Sequence, residues 1–139
     1  MANEFARNIQ DASLNPATFA LPSAASSSTT SAVIDMGTDT YKTENIEFDL
    51  AIPALSDTIV PNTRTVTAII ETSTTSVFTA VDATIFSRIL TGAGSGVAAQ
   101  TGLRCRIPSN SARYVRAKVT FGASTTDGSA VSATFTPRF

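Results

Sequence analysis

The sequence predicts an all-β protein: an antiparallel β-sandwich, jelly-roll-like, with an extended N-terminal arm. Several segments alternate apolar and polar residues with period two, which is typical of strands with one buried face. The 139 residues include many serines and threonines, which together with Val, Ile and Phe favour extended structure. Turn residues separate these segments at short intervals, and no long stretch has the helical period. Seven or eight short strands with this spacing suit a jelly-roll or immunoglobulin-like sandwich.

Residues 1–31 differ from the rest and form the predicted arm. Residues 23–31 are small and polar, and Pro16 and Pro22 interrupt any helix. Isolated apolar residues in this segment could each fill a pocket: Phe5, Ile9, Leu14, Phe19 and Leu21. Two interpretations stay open, a partly disordered tail or an arm that lies along the sandwich or a neighbouring subunit. Residues 32–139 are predicted to form a single β-sandwich domain.

Four segments alternate regularly enough to predict strands with a defined inward face. The predicted inward residues are Ile46, Phe48, Leu50 and Ile52 in 45–52; Leu103, Cys105 and Ile107 in 103–107; Val115, Ala117, Val119 and Phe121 in 113–121; and Val131, Ala133 and Phe135 in 131–135. Their polar neighbours point outward, because successive side chains of a strand lie on opposite faces.

Four further strands are predicted from weaker patterns, at residues 32–36, 64–72, 77–81 and 84–90. The last of these also fits one side of a short helix that starts near Asp82 and ends before Gly92. We favour a strand there. The predicted strands are separated by turn residues at Pro53, at 61–62, at 92–96, at 108–110 and at 125–128.

Composition argues against most catalytic and metal chemistry. The chain has no histidine, no tryptophan and one cysteine, so no Ser-His-Asp triad, disulfide or Cys/His metal site can form within it. Cys105 is expected to point inward and to be unreactive. The carboxylates between Asp35 and Asp57 lack the spacing of an EF-hand loop. We expect no catalytic residues, no cofactor and no metal.

The charges are strongly segregated along the chain. Up to Asp82 there are 3 basic and 10 acidic residues, a balance of -7; from Ala83 onward there are 7 basic and 1 acidic, a balance of +6. Such a split either neutralises itself within the fold or faces outward and governs docking. If strands 103–107 and 113–121 are neighbours, their arginines and lysine form one basic cluster, which either nearby carboxylates or a partner neutralises. The candidate partner-binding residues are Arg104, Arg106, Arg113, Arg116, Lys118, Glu44, Glu47 and Asp49.

The carboxy-terminal half resembles a known family. The stretch RIPSNSARYVRAKVTFG at 106–122, followed by a polar turn and Ser132-Ala133-Thr134-Phe135, is similar to the jelly-roll cement, or decoration, proteins of short-tailed bacteriophage capsids. In that family an Ile-Pro turn leads into an Arg-Tyr-x-Arg strand and then a last strand of small and apolar residues. The similarity extends from about Thr43 to the end and leaves the arm uncovered.

The resemblance implies a virion protein, made in the host cytoplasm, that binds the capsid exterior and staples neighbouring major capsid protein subunits. It implies self-association, with a homodimer favoured and a trimer possible. We expect no membrane partner, since no long apolar block or signal peptide is apparent. We expect no nucleic-acid partner, since Tyr114 is the lone aromatic residue on the basic face. Two alternatives remain: a self-assembling viral coat protein, and a jelly-roll carbohydrate-binding or adhesin domain.

Overall fold

The computed structural model describes residues 17–37, 46–108 and 110–138. Within these ranges the secondary structure consists of nine strands, in chain order: β1 Ala17–Ala20, β2 Ser28–Thr30, β3 Ile34–Asp35, β4 Glu47–Ile52, β5 Thr65–Ser73, β6 Ala83–Thr91, β7 Gln100–Arg106, β8 Tyr114–Phe121 and β9 Ser132–Arg138. The described ranges contain no apolar helix of the length needed to span a bilayer.

The strands form two antiparallel sheets. Sheet A has the order β1-β9-β4-β7, and sheet B has the order β2-β8-β5-β6, with β3 also paired to β8. The pairings are nested along the chain, since β5 pairs with β6, β4 with β7, β2 and β3 with β8, and β1 with β9. One long hairpin wrapped across two sheets in this way is a jelly roll. The predicted fold class is confirmed.

The core lies between the two sheets and is built by the predicted inward faces. Phe48 of β4 and Phe135 of β9 are fully buried and stack with ring centroids 4.9 Å apart. From sheet B, β8 contributes Val115, Ala117, Val119 and Phe121, all at most 1% exposed. The inward faces predicted for 45–52 and 113–121 are therefore confirmed. Every second side chain of a strand lies on the same face, so one buried face gives alternation with period two.

Part of the predicted arm pairs with the sandwich. β1 lies at one edge of sheet A beside β9, and β2 lies beside β8 in sheet B. Phe19 and Leu21 are buried, and the N–H of Leu21 donates to the carbonyl of Val131 at 2.9 Å. Residues 17–31 thus lie along the sandwich and bury two of the apolar residues that the sequence singled out. Phe5, Ile9 and Leu14 lie outside the described residues.

The weaker strand predictions had mixed outcomes. The strand predicted at 84–90 lies within β6. The strand predicted at 64–72 overlaps most of β5, and the segment predicted at 32–36 contains the two-residue strand β3. The strand predicted at 77–81 is wrong, because these residues belong to the turn between β5 and β6. Phe78 has a φ of 51°, in the left-handed region, and its N–H donates to the carbonyl of Thr75 at 3.1 Å. The hydroxyl of Ser73 holds the turn by donating to the carbonyl of Ala80 at 2.8 Å.

Candidate docking face

The register of sheet A places two carboxylates of β4 between basic residues of its two neighbours. Glu47 lies opposite Arg106 of β7 on one side and opposite Arg138 of β9 on the other. Asp49 lies opposite Arg104 of β7. These five side chains alternate with the core residues of their strands and so share the outer face of sheet A. We call them the arginine face.

Short contacts link these charges. Arg138 donates through Nε to Oδ2 of Asp49 at 3.0 Å, and its Nη2 lies 2.9 Å from the same oxygen. Arg104 Nε lies 3.4 Å from the same oxygen. Arg106 Nη2 donates to Oε1 of Glu47 at 3.3 Å. Oδ1 of Asp49 is buried without a hydrogen-bond partner among the described residues. The arginines are therefore oriented by the carboxylates beneath them.

The three cations of the arginine face remain accessible. The side chains of Arg104, Arg106 and Arg138 are 54%, 67% and 52% exposed, whereas that of Asp49 is 8% exposed. Three arginines against two carboxylates leave a formal charge of +1 on this face. Each guanidinium has five N–H donors, and the contacts within the face use one or two of them. The remaining donors suit carboxylates of a partner.

The outer face of sheet A continues into a shallow apolar depression. It is lined by Ala51, Ile52, Pro53, Ala99, Thr101, Ser132 and Thr134. Ala51 follows Asp49 on the outer face of β4, and Thr134 lies opposite Ala51 on β9. A charged patch next to a small apolar surface is the usual composition of a protein–protein interface.

The structure does not bring all the predicted site residues together. β7 carries Arg104 and Arg106 in sheet A, whereas β8 carries Arg116 and Lys118 in sheet B. The two strands are not neighbours, so the single basic cluster that their adjacency would have formed does not exist. Arg113, just before β8, donates to both carboxylate oxygens of Asp35 at 2.6 and 2.7 Å. The hydrogen bonds with Asp35 raise the pKa of Arg113. Glu44 lies outside the described residues.

Arg116 is engaged within the fold. Its Nε and Nη2 lie 2.7 and 2.6 Å from Oε1 of Glu71, and its guanidinium stacks 4.1 Å from the ring centroid of Phe78. The side chains of Arg116 and Glu71 are 19% and 4% exposed. Lys118 lies on the outer face of sheet B between Thr30 and Ile69. Of the predicted basic residues, Arg104 and Arg106 are thus the ones that share an accessible charged face.

The segregation of charge along the chain is largely neutralised by the topology. Acidic β3, β4 and β5 precede residue 83, and they lie beside β8, β7 and β9, which carry the later arginines. Of the two alternatives for the basic residues, nearby carboxylates or a partner, the structure shows a carboxylate contact for Arg106, with Glu47, and for Arg104, with Asp49. Arg138 was not among the predicted residues. Extending the alternation of Ser132 and Thr134 by two further steps would have placed Arg138 on the outer face.

Cys105 is half-buried on the inner side of β7. Burial, and next the negative charge of Glu47, raise the pKa of its thiol from 9.0 to about 11. We expect the thiolate fraction at pH 8, and hence the alkylation rate, to be about 100-fold lower than in the unfolded chain. Because the folded-state pKa is raised, this thiol contributes stability below pH 9.0 that is lost as the pH rises through about 11.

Iodoacetamide labelling of the native and urea-unfolded protein across pH 7–10 measures this difference. Glu47→Gln should lower the native pKa, because one of the two causes is removed. Equal labelling rates for the native and unfolded protein would contradict the burial of Cys105.

The fold and the arginine face define a class: a jelly-roll sandwich with a charged outer face on one sheet. No group of acidic, cysteine or histidine side chains that could hold a metal ion occurs within residues 17–37, 46–108 and 110–138. No protein-family model matches the sequence, and no curated protein sequence matches it.

Proposed function

We propose that this protein is a structural virion component that binds the outside of a phage capsid and staples neighbouring major capsid protein subunits. The observation that carries the proposal is the arginine face, where Arg104, Arg106 and Arg138 stay more than half exposed above their carboxylates. Such a face suits an acidic protein surface, since guanidinium groups bind carboxylates with two parallel hydrogen bonds. The resemblance of residues 106–122 to cement proteins supports the capsid shell as the partner that provides this acidic surface.

The jelly roll suits a stapling role physically. Its core is continuous between the sheets and includes residues contributed by β1, β4, β8 and β9. A rigid body of this kind loses little conformational entropy when it docks. If an oligomer of the protein holds two or more shell subunits at once, every contact must fail before it dissociates, so modest contacts add to a large mechanical resistance. The shell then withstands the pressure of packaged DNA better.

Neutralising two exposed arginines tests the arginine face. We expect Arg104→Gln together with Arg106→Gln to weaken binding to undecorated shells at least about tenfold, or about 1.4 kcal/mol. The salt dependence of binding should also become shallower, because fewer ion pairs form with the partner. Cosedimentation with shells of the same virus at several salt concentrations measures both effects.

Arg64→Gln together with Arg88→Gln provides the matched control. Both residues are exposed; Arg64 lies in the turn before β5 and Arg88 lies on β6, so they belong to sheet B and not to sheet A, which carries the arginine face. The change of net charge is the same, and we expect binding within a factor of about two of wild type. Equal binding by both double variants at every salt concentration would remove the arginine face from the interface.

The same assay separates the alternative functions. A cement protein stays small in isolation and saturates preformed shells at a fixed ratio. A coat protein assembles shells by itself, and a carbohydrate-binding domain ignores the shells and binds glycans. Failure of the wild-type protein to bind shells under all conditions would overturn the proposed function.

A further inference from the structure

β7 lies at the end of sheet A and pairs with β4 on one side. Within the described ranges no strand pairs with its other side, which we call the outer edge of β7. The strand spans Gln100–Arg106. An edge of this kind presents backbone N–H and C=O groups that can pair with another extended chain.

The register shows which backbone groups face the outer edge. The N–H of Ile107 donates to the carbonyl of Ile46 at 3.3 Å, so this pair bonds directly across β4 and β7. In an antiparallel ladder such pairs alternate with pairs whose N–H and C=O groups point away. By this alternation, the backbone N–H and C=O groups of Cys105 and Leu103 bond to those of Phe48 and Leu50 in β4. The N–H and C=O groups of Arg104 and Arg106 therefore point to the outer edge.

The side chains along the same edge define what an added strand must carry. Arg104 and Arg106 project onto the outer face of sheet A with more than half of each side chain exposed. On the inner side, Leu103 and Cys105 are only half-buried, although they pack against the core. An added strand complements this edge if carboxylates alternate with apolar side chains.

β4 already provides one example of this complementarity. Glu47, Phe48, Asp49 and Leu50 lie opposite Arg106, Cys105, Arg104 and Leu103. The outer edge of β7 presents the same four side chains from the other side, so a segment with a similar pattern meets the same charges and the same apolar surface. The paired stretch is short, because Gly102 has a φ of 83° and Pro108 lacks an N–H.

We propose that the outer edge of β7 binds an extended acidic segment of the shell protein as an additional strand of sheet A. Its alternate carboxylates pair with Arg104 and Arg106, its backbone bonds to the backbones of these two residues, and its apolar side chains cover Leu103 and Cys105. This inference rests on the proposed function for the source of the segment. It goes further in naming the contact, which is β-augmentation.

The inference can be tested without shells by using peptides. An acetylated and amidated peptide that copies residues 46–50 is added to the isotope-labelled full chain, and a control peptide has lysine at both acidic positions. We expect slower hydrogen exchange and shifted resonances at the amides of Arg104 and Arg106, and binding at least about tenfold tighter for the acidic peptide. Equal binding of both peptides, or no change at these amides with millimolar acidic peptide, would overturn the inference. So would amides already protected in the free protein, since another segment of this chain would then occupy the edge.

Two substitutions at one position separate the backbone from the side chain. Arg104→Gln removes the charge but keeps the N–H, whereas Arg104→Pro also removes an N–H that β4 does not use. We expect Arg104→Pro to lose clearly more peptide and shell binding than Arg104→Gln. Equal losses would show that the contact depends on the charge of the side chain and not on the backbone N–H, which would overturn strand addition. If Arg104→Pro unfolds at a clearly lower temperature than the wild-type protein, the test of strand addition is hydrogen exchange at the amides of Arg104 and Arg106 in the wild-type protein, with and without the acidic peptide. Peptide binding without shell binding would overturn the proposed function alone, and shell binding without peptide binding would overturn this inference alone.

Discussion

Replacing Arg116 with alanine is expected to lower the free energy of unfolding by about 3–5 kcal/mol. The substitution leaves the carboxylate of Glu71, whose side chain is 4% exposed, without the guanidinium that lies 2.6 Å from it. A buried charge without a partner is costly because the protein interior solvates it poorly. Arg116→Ala also removes the cation that stacks on Phe78, which loosens the turn between β5 and β6. Urea denaturation followed by circular dichroism measures the loss.

Two variants serve as controls for Arg116→Ala. Arg113→Ala breaks an ion pair whose side chains are 41% and 37% exposed, so we expect a loss of unfolding free energy far below that of Arg116→Ala. Replacing both Arg116 and Glu71 with leucine removes the two charges together and should recover much of the stability. A loss for Arg116→Ala no larger than that for Arg113→Ala would show that the buried pair does not stabilise the fold.

Replacing Phe135 with alanine is expected to cost about 3–5 kcal/mol of unfolding free energy. Phe135 is fully buried at the centre of sheet A, where β9 pairs with both β1 and β4, and its ring stacks on Phe48. The truncation leaves a cavity between the sheets that the surrounding strands can close only in part. A thermal or urea unfolding transition measures the loss.

Phe86→Ala is the matched control for Phe135→Ala. Phe86 is half-buried on β6, an edge strand of sheet B, so the same truncation removes fewer contacts. We expect a loss clearly below that of Phe135→Ala. An equal or greater loss at Phe86 would contradict the placement of the core between the two sheets.

The sequence predicted the inward faces of the strands that are buried on one side. In β4 and β8 the core requires an apolar residue at every second position, so the alternation in sequence shows which side chains face the core. β6 was harder to assign because its pairing with β5 shifts register between Ile70 and Glu71. The extra residue leaves Ile85 and Phe86, consecutive in sequence, both half-buried. Such a pattern resembles one face of a helix.

The candidate site could be predicted only in part, because alternation does not tell which strands become neighbours. The sequence identified Arg104, Arg106, Glu47 and Asp49 as charged outward residues, and they do share one face. It could not place β7 and β8 in different sheets, since that depends on the nested pairing of the whole chain. The burial of Arg116 also follows from a long-range contact, with Glu71 forty-five residues earlier in the chain.

A density map of the shell carrying this protein is the most direct measurement of the proposed docking. We expect the jelly roll on the outer surface, with the arginine face and the outer edge of β7 turned toward the shell and contacting adjacent subunits. An acidic segment of the shell should continue sheet A beside Arg104 and Arg106. Absence of the protein from the particle, or a map in which sheet A faces solvent, would contradict the proposal.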